Sequence, residues 1–184
     1  MDPILIIKQY YTPDSQAYTA LVTHSEYVVE MALKVAANVR HLNPDTRFIE
    51  EAGMLHDIGM IQTHAPQMGC FDEHPYICHG YLGREIVEKA GFPKHALVCE
   101  RHTGVGLSVR DIRKGKLPLP ERDMRPVTLE EQIICYADKF YSKSKGKFGK
   151  QKSVKKIRRQ LRKIKKDYVV QFDQWIEFFE QGGS

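Results

Sequence analysis

Two features of the sequence predict an all-α fold. Apolar residues recur at spacings of three and four along almost every segment, and the interruptions carry Pro, Gly, Ser or Thr where helices start and stop. No alternating run reads as a strand, and no repeat or linker divides the chain. At 184 residues, with 42% hydrophobic and 28% charged side chains, the simplest organisation is one folded domain spanning 1–184, with enough chain to bury a core.

The opening stretch Ile4-Leu5-Ile6-Ile7 is too short to cross a bilayer and has neither a basic flank nor a cleavage site, so no export signal or membrane span is expected. From Ser15 to Val39, Tyr18, Leu21, Val22, Val28, Met31, Val35 and Val39 keep a helical period with His24 among them. A second helix is expected from Pro44 at its first position through Phe48, Ile49, Ala52 and Leu55, stopping at Gly59, where the chain turns. Residues 60–73 read as loop. Pro75 opens a third helix closed by Gly91, and Pro93 opens a fourth that ends near Gly104.

The glycines and prolines of residues 104–127 suggest a long surface loop, which in a domain of this size is functional or mobile. Thr128 with Glu131 forms a capping box ahead of Ile133, Ile134, Ala137 and Asp138. A last helix over about residues 153–180 carries the stripe Val154, Ile157, Leu161, Ile164, Tyr168, Phe172, Trp175 and Phe179.

The net charge of +5 is uneven, because residues 142–166 hold thirteen Lys or Arg and no acid while the remainder is acidic. The basic segment 143–166 could meet RNA or another polyanion. A solvated helix face is the favoured reading, because Phe148 is the one aromatic interleaved with the basic residues. Cys70, Cys78, Cys99 and Cys135 are dispersed without a C-x-x-C pair, which points to reduced, buried thiols in a cytoplasmic protein.

The chemistry gathers around His56-Asp57-Ile58-Gly59, which sets an imidazole beside a carboxylate at the end of an apolar helical run. His24, His79, His102 and Asp138 lie at intervals suited to successive helices. Any one such His is more often a hydrogen-bonded core residue than a ligand. Asp138, bracketed by Ile133, Ile134, Ala137 and Phe140, needs a cation or a basic partner to offset its burial.

In order and spacing, this series resembles the HD superfamily of metal-dependent phosphohydrolases, in particular its small stand-alone HDIG-type members, over about residues 15–145. Local agreement includes His79-Gly80 with Gly83, Arg101-His102-Thr103-Gly104, and Tyr136-Ala137-Asp138. The resemblance implies an HD-domain helical bundle. It also implies that His24, His56, Asp57 and Asp138 hold one metal, while His79 and His102 hold a second that Asp57 bridges. Met60 follows the HDIG residues where some cyclic dinucleotide phosphodiesterases have Lys, and their G-Y-P signature is absent, so that substrate is not implied.

Imidazole mixed with carboxylate favours two divalent transition-metal ions, Fe or Mn first and Co, Ni or Zn next, over Mg. Such a pair suits a metal-activated hydroxide attacking a nucleotide or another small phosphate ester, with His56 and Asp57 at the catalytic centre. Lys139, Arg101 and His64 are candidate substrate contacts, whereas His74, His41 and His95 look like exposed positions or helix entries. The loop 104–127, running between two ligand-bearing helices, is expected to cover the site, with Arg110, Arg113 and Lys114 within reach of a phosphate. Two rival readings share the ligand set: an HD-type mixed-valent di-iron oxygenase, and a metal-stabilised nucleic-acid-binding module.

Overall fold

Helix caps written into the sequence set the element boundaries of the computed structural model, which describes residues 1–143 and 149–181. Asp2 caps a helix not foreseen in the sequence, α1 (Pro3–Tyr10), by accepting from the Ile4 N–H. Ser15 caps α2 (Gln16–Asn38), and Asp45 caps α3 (Thr46–Leu55) by accepting from the Phe48 N–H. Pro44 therefore lies ahead of the cap rather than at the first helical position. A 3-10 turn (Ile58–Gln62) follows, then two short antiparallel strands, β1 (His64–Ala65) and β2 (Cys70–Phe71), within what read as plain loop. Gly69, at φ 79°, supplies the left-handed backbone that closes this hairpin.

Next come α4 (His79–Lys89), α5 (Pro93–Arg101), α6 (Val109–Gly115) and α7 (Leu129–Asp138). The segment 104–127 is thus not an open loop. α6 has a full capping box between Ser108 and Asp111, and Val105, Leu107, Ile112 and Met124 are buried in the core. The box expected before α7 is half formed. Thr128 Oγ1 accepts from the Glu131 N–H, but the Glu131 carboxylate goes to the Val127 N–H and to Arg101.

The expected last helix is two: α8 (Val154–Ile164) and α9 (Lys166–Gln181), broken where Lys165 is extended. Ile164, assigned to the apolar stripe, is 67% exposed as a result. Lys145, Lys147 and Phe148 of the basic segment lie outside the described residues.

α2 is the central element, packing against α3 and α7, while α4 packs on α5 and α8 on α9. Two apolar clusters result. One gathers Val28, Ala32, Ile133, Tyr136, Phe140, Phe172 and Phe179; the other gathers Ile7, Tyr11, Leu21, Leu55, Ile58, Ile86 and Val87. Tyr136 stacks on Phe172 and meets Phe140 and Phe179, and each such ring contributes about 1.5–3 kcal/mol by burial. That packing fixes α7, and hence Asp138 at its last residue. His24 lies on α2 between Leu21 of one cluster and Val28 of the other, so the polar centre sits at the seam between them.

Candidate metal centre

Three of the four histidines in the seam end helical segments. His56 follows α3, His102 follows α5, and His79 follows the 3-10 turn Tyr76–Cys78. The last turn of a helix leaves carbonyls without partners. Each imidazole takes a nearby carbonyl: Nδ1–H donates to Gly53 O at 2.6 Å for His56, to Tyr76 O at 2.7 Å for His79, whose own N–H donates there too, and to Cys99 O at 2.7 Å for His102. With Nδ1 so engaged, Nε2 keeps its lone pair and faces inward, the tautomer a metal ligand requires.

All four Nε2 atoms converge on Asp57. Its Oδ2 lies 3.3 Å from His24 and 3.1 Å from His56, while Oδ1 lies 3.3 Å from His79 and 3.1 Å from His102. Asp138 Oδ1 is 2.9 Å from His24 Nε2 and 3.7 Å from His56 Nε2. The donor atoms therefore form two groups that share Asp57: His24, His56, Asp57 and Asp138, and Asp57, His79 and His102. Despite the short distances, Oδ1 of Asp57 and Nε2 of His56 lack a hydrogen-bond partner, and each is fully buried. The His79 and His102 Nε2 atoms are 3.0 Å apart, so two ring nitrogens meet on the same side of Asp57. Converging, unsatisfied donors of this kind fit cations.

The charges agree with that reading. Burial pushes His24 down to about 4 and His79 down to about 3, and lowers His102, so these rings are neutral and able to ligate. His56 is the exception: burial opposes its protonation too, but Asp57 and Asp138 outweigh it and lift that ring to about 9, so a metal bound there must displace a proton. Asp57 and Asp138 are both held well below the usual carboxylate range against their burial, Asp57 by His56 and Lys143 and Asp138 by Lys139 and Lys143.

Lys143 is a residue of the centre that sequence reasoning missed. Its Nζ is 2.7 Å from Asp57 Oδ2 and 5.7 Å from the centroid of Tyr76, whose ring stacks on His79. Pooled with twelve other basic residues it carried no signal. The one available clue was its place five residues beyond Asp138, too near a ligand to reach far from it.

Of the proposed substrate contacts, Lys139 reaches the centre by pairing with Asp138 Oδ2 at 2.7 Å and donating to His102 O. Arg101 is instead held by Glu131 at 2.9 Å, and His64 is exposed on β1 outside the donor groups. His95, expected to be exposed, is half buried, pairs with Glu51 and packs against Phe48 and Phe92. The four cysteines are buried and unpaired, as expected.

A cavity of about 330 Å³ opens beside Asp138, walled by Tyr76, Lys139, Lys143, Lys152 and Gln160. Burial, with Lys139 and Lys143 alongside, pushes Lys152 down to about 8. Among the described residues, none from 104–127 lines this cavity. That segment packs instead beside a second cavity, where Arg110 and Lys114 face Lys165 and Tyr168, so the expected lid is replaced by residues 141–143 and α8.

A model of the HD domain family matches residues 21–142. The chain is similar to an uncharacterized protein of Methanocaldococcus jannaschii, with 38% identity over 115 residues, 62% of this chain and 59% of that one. It is also similar to the tRNA (cytidine(56)-2'-O)-methyltransferase of Picrophilus torridus, at 31% identity across 66% of this chain and 31% of that enzyme. The enzyme of the same name from Thermoplasma volcanium is 28% identical across 68% of this chain and 32% of its own length. In each case less than two thirds of the relative is spanned. No solved structure matches.

Proposed function

The chain belongs to the HD domain family, and from that premise we propose that it is a metal-dependent phosphohydrolase acting on a small phosphate ester, with a nucleotide as the leading substrate class. One observation carries the reading: the two oxygens of Asp57 each face a different pair of imidazoles, so a single carboxylate serves two donor groups. His24, His56, Asp57 and Asp138 would hold one ion, and Asp57, His79 and His102 the other. The mixed nitrogen and oxygen donors favour Fe, Mn, Co, Ni or Zn. Bound divalent ions supply Lewis acidity, acidifying a water nucleophile and neutralising phosphoryl oxygens.

The protein's own groups do the rest. The carbonyls of Gly53, Tyr76 and Cys99 hold three rings in orientation, and apolar clusters pack on either side of the seam. Lys143, between Asp57 and Tyr76, is placed to receive a phosphoryl oxygen. The test is metal analysis of protein purified without chelator, followed by panels of phosphomonoesters and phosphodiesters. About two transition-metal equivalents and metal-dependent release of phosphate or nucleotide are expected. A chain that takes up no metal, or a metal-loaded chain inert on both panels, would overturn the proposal.

A second reading rests on a separate observation, the exposed Lys155, Lys156, Arg159 and Arg162 of α8. Together with two relatives named for action on tRNA, these residues support contact with RNA. Binding that weakens steeply with salt and is lost on charge reversal of α8 would support it. Salt-independent binding would dismiss it.

A further inference from the structure

We propose that the cavity beside Asp138 is a second phosphate subsite, built by Lys143 and Lys152, and that the preferred substrate carries a diphosphate group. This inference rests on the metal-centre reading above and adds a substrate class to it.

Among its charged groups, the cavity wall is predominantly cationic. Lys139, Lys143 and Lys152 all line the cavity, and Asp138 is the one carboxylate among the described residues that does. Lys139 is already spent on Asp138, at 2.7 Å. Lys152 donates to a carbonyl, Lys139 O at 2.9 Å, rather than to an acid. Lys143 holds Asp57 Oδ2, the same oxygen that faces His24 and His56. An ammonium and a divalent cation cannot share that oxygen without repulsion, so a loaded centre leaves Lys143 in need of another anion. It already lines the space where one would sit.

The cavity supplies that space. About 330 Å³ holds a phosphate beyond the one at the metals, together with part of its ester group. Gln160 adds a polar side chain to the wall, and Ile157 and Leu161 of α8 form an apolar floor. A monophosphate bound at the metals would engage Lys143 at most and would leave Lys152 facing an unfilled pocket. A diphosphate puts its second group, and at least one further negative charge, between Lys143 and Lys152.

The full chain, loaded with Mn(II), would be titrated calorimetrically with methylenediphosphonate and with methylphosphonate, neither of which is hydrolysed. Wild type should prefer the diphosphonate, and Lys143→Met or Lys152→Met should each cut that preference about tenfold, the size of one charge-assisted hydrogen bond. Lys152→Gln, which keeps a donor for Lys139 O but removes the charge, should behave like Lys152→Met, and Lys152→Arg should restore most of the preference. Chelation of released metal affects every variant alike, so the comparison between variants carries the result. Normal Mn content with the same preference in wild type, Lys143→Met and Lys152→Gln would overturn the subsite alone. Failure of the wild type to take up Mn would overturn the metal centre and this inference with it.

Discussion

Asp57 is where most of the polar energetics of the molecule meet, because one fully buried carboxylate faces four imidazoles and an ammonium. Replacing it with Ala removes the shared donor of both groups. Bound metal should fall from about two equivalents to one or fewer, and turnover should drop by at least ~10³, the loss of several kcal/mol of transition-state stabilisation. Metal analysis and kcat/KM check this, with circular dichroism to confirm that the helices persist; full metal content with full activity would sink the assignment. A second prediction separates the two groups. With His79 and His102 both changed to Ala, Nε2 donors disappear from one side of Asp57 only, so one equivalent should remain with His24, His56, Asp57 and Asp138. If the double variant keeps two, those histidines have another role. At this scale the sequence was informative about candidate ligands, since each is an unusual residue in an apolar setting. It was uninformative about Lys143, because a lysine's partner is decided by what folds against it.

Glycine contacts and caps decide how elements carry these residues. Gly59 lies in the 3-10 turn where the sequence led the chain to turn, and it is also a point of close approach. A Cβ there would lie 2.2 Å from Gly83 N and from His79 O. Gly59→Ala should therefore force the 3-10 turn away from α4, destabilise the fold by about 3 kcal/mol and lower Tm by roughly 6–12 °C, while loosening metal binding through His79. A variant that melts within a degree of wild type would show that the contact yields easily. Asp111 links α6 to the break between α8 and α9: its Oδ2 completes the Ser108 capping box, and its Oδ1 pairs with Lys165 at 2.8 Å. Burial opposes its charge, but Lys165 and Ser108 prevail and hold the carboxyl down to about 2. A depressed carboxylate contributes stability above its unfolded pKa and loses it as pH falls through the folded value. Asp111→Asn should thus cost on the order of 1–2 kcal/mol at neutral pH, with the gap to wild type closing between about pH 4 and pH 2. A gap that persists at pH 2 would mean the loss is packing, not charge.

For the molecule as a whole, the centre joins α2, α4 and α7 to the ends of α3 and α5, so its occupancy should be read by global stability. A ligand that binds only the folded chain stabilises by RT ln(1 + [L]/Kd), about 2.7 kcal/mol at a hundredfold excess over Kd. Mn(II) added to chelator-treated protein should raise Tm by roughly 5–10 °C, and Asp57→Ala should abolish the rise. An equal shift in that variant would locate the effect elsewhere. Among the described residues, no helix is long and apolar enough to cross a membrane.

Helical class, the Thr128 cap and all six candidate ligands were legible in the sequence, because periodicity and capping are local and because His and Asp are conspicuous among apolar neighbours. The amphipathic stripe was legible too, yet its break at Lys165 was not, since Asp111, 54 residues away, takes part in setting that corner. Residues 104–127 looked like a lid from their Gly and Pro content and their place between His102 and Asp138. Tertiary structure turned them into α6 and core, through Ile112 and Met124, and left the mouth of the site to residues 141–143, Lys152 and α8. Which oxygen of Asp57 meets which ring, that Arg101 turns to Glu131, and that Lys143 turns inward are all contacts between segments far apart in sequence. Local pattern names the residues able to do chemistry, and only packing decides which of them share a space.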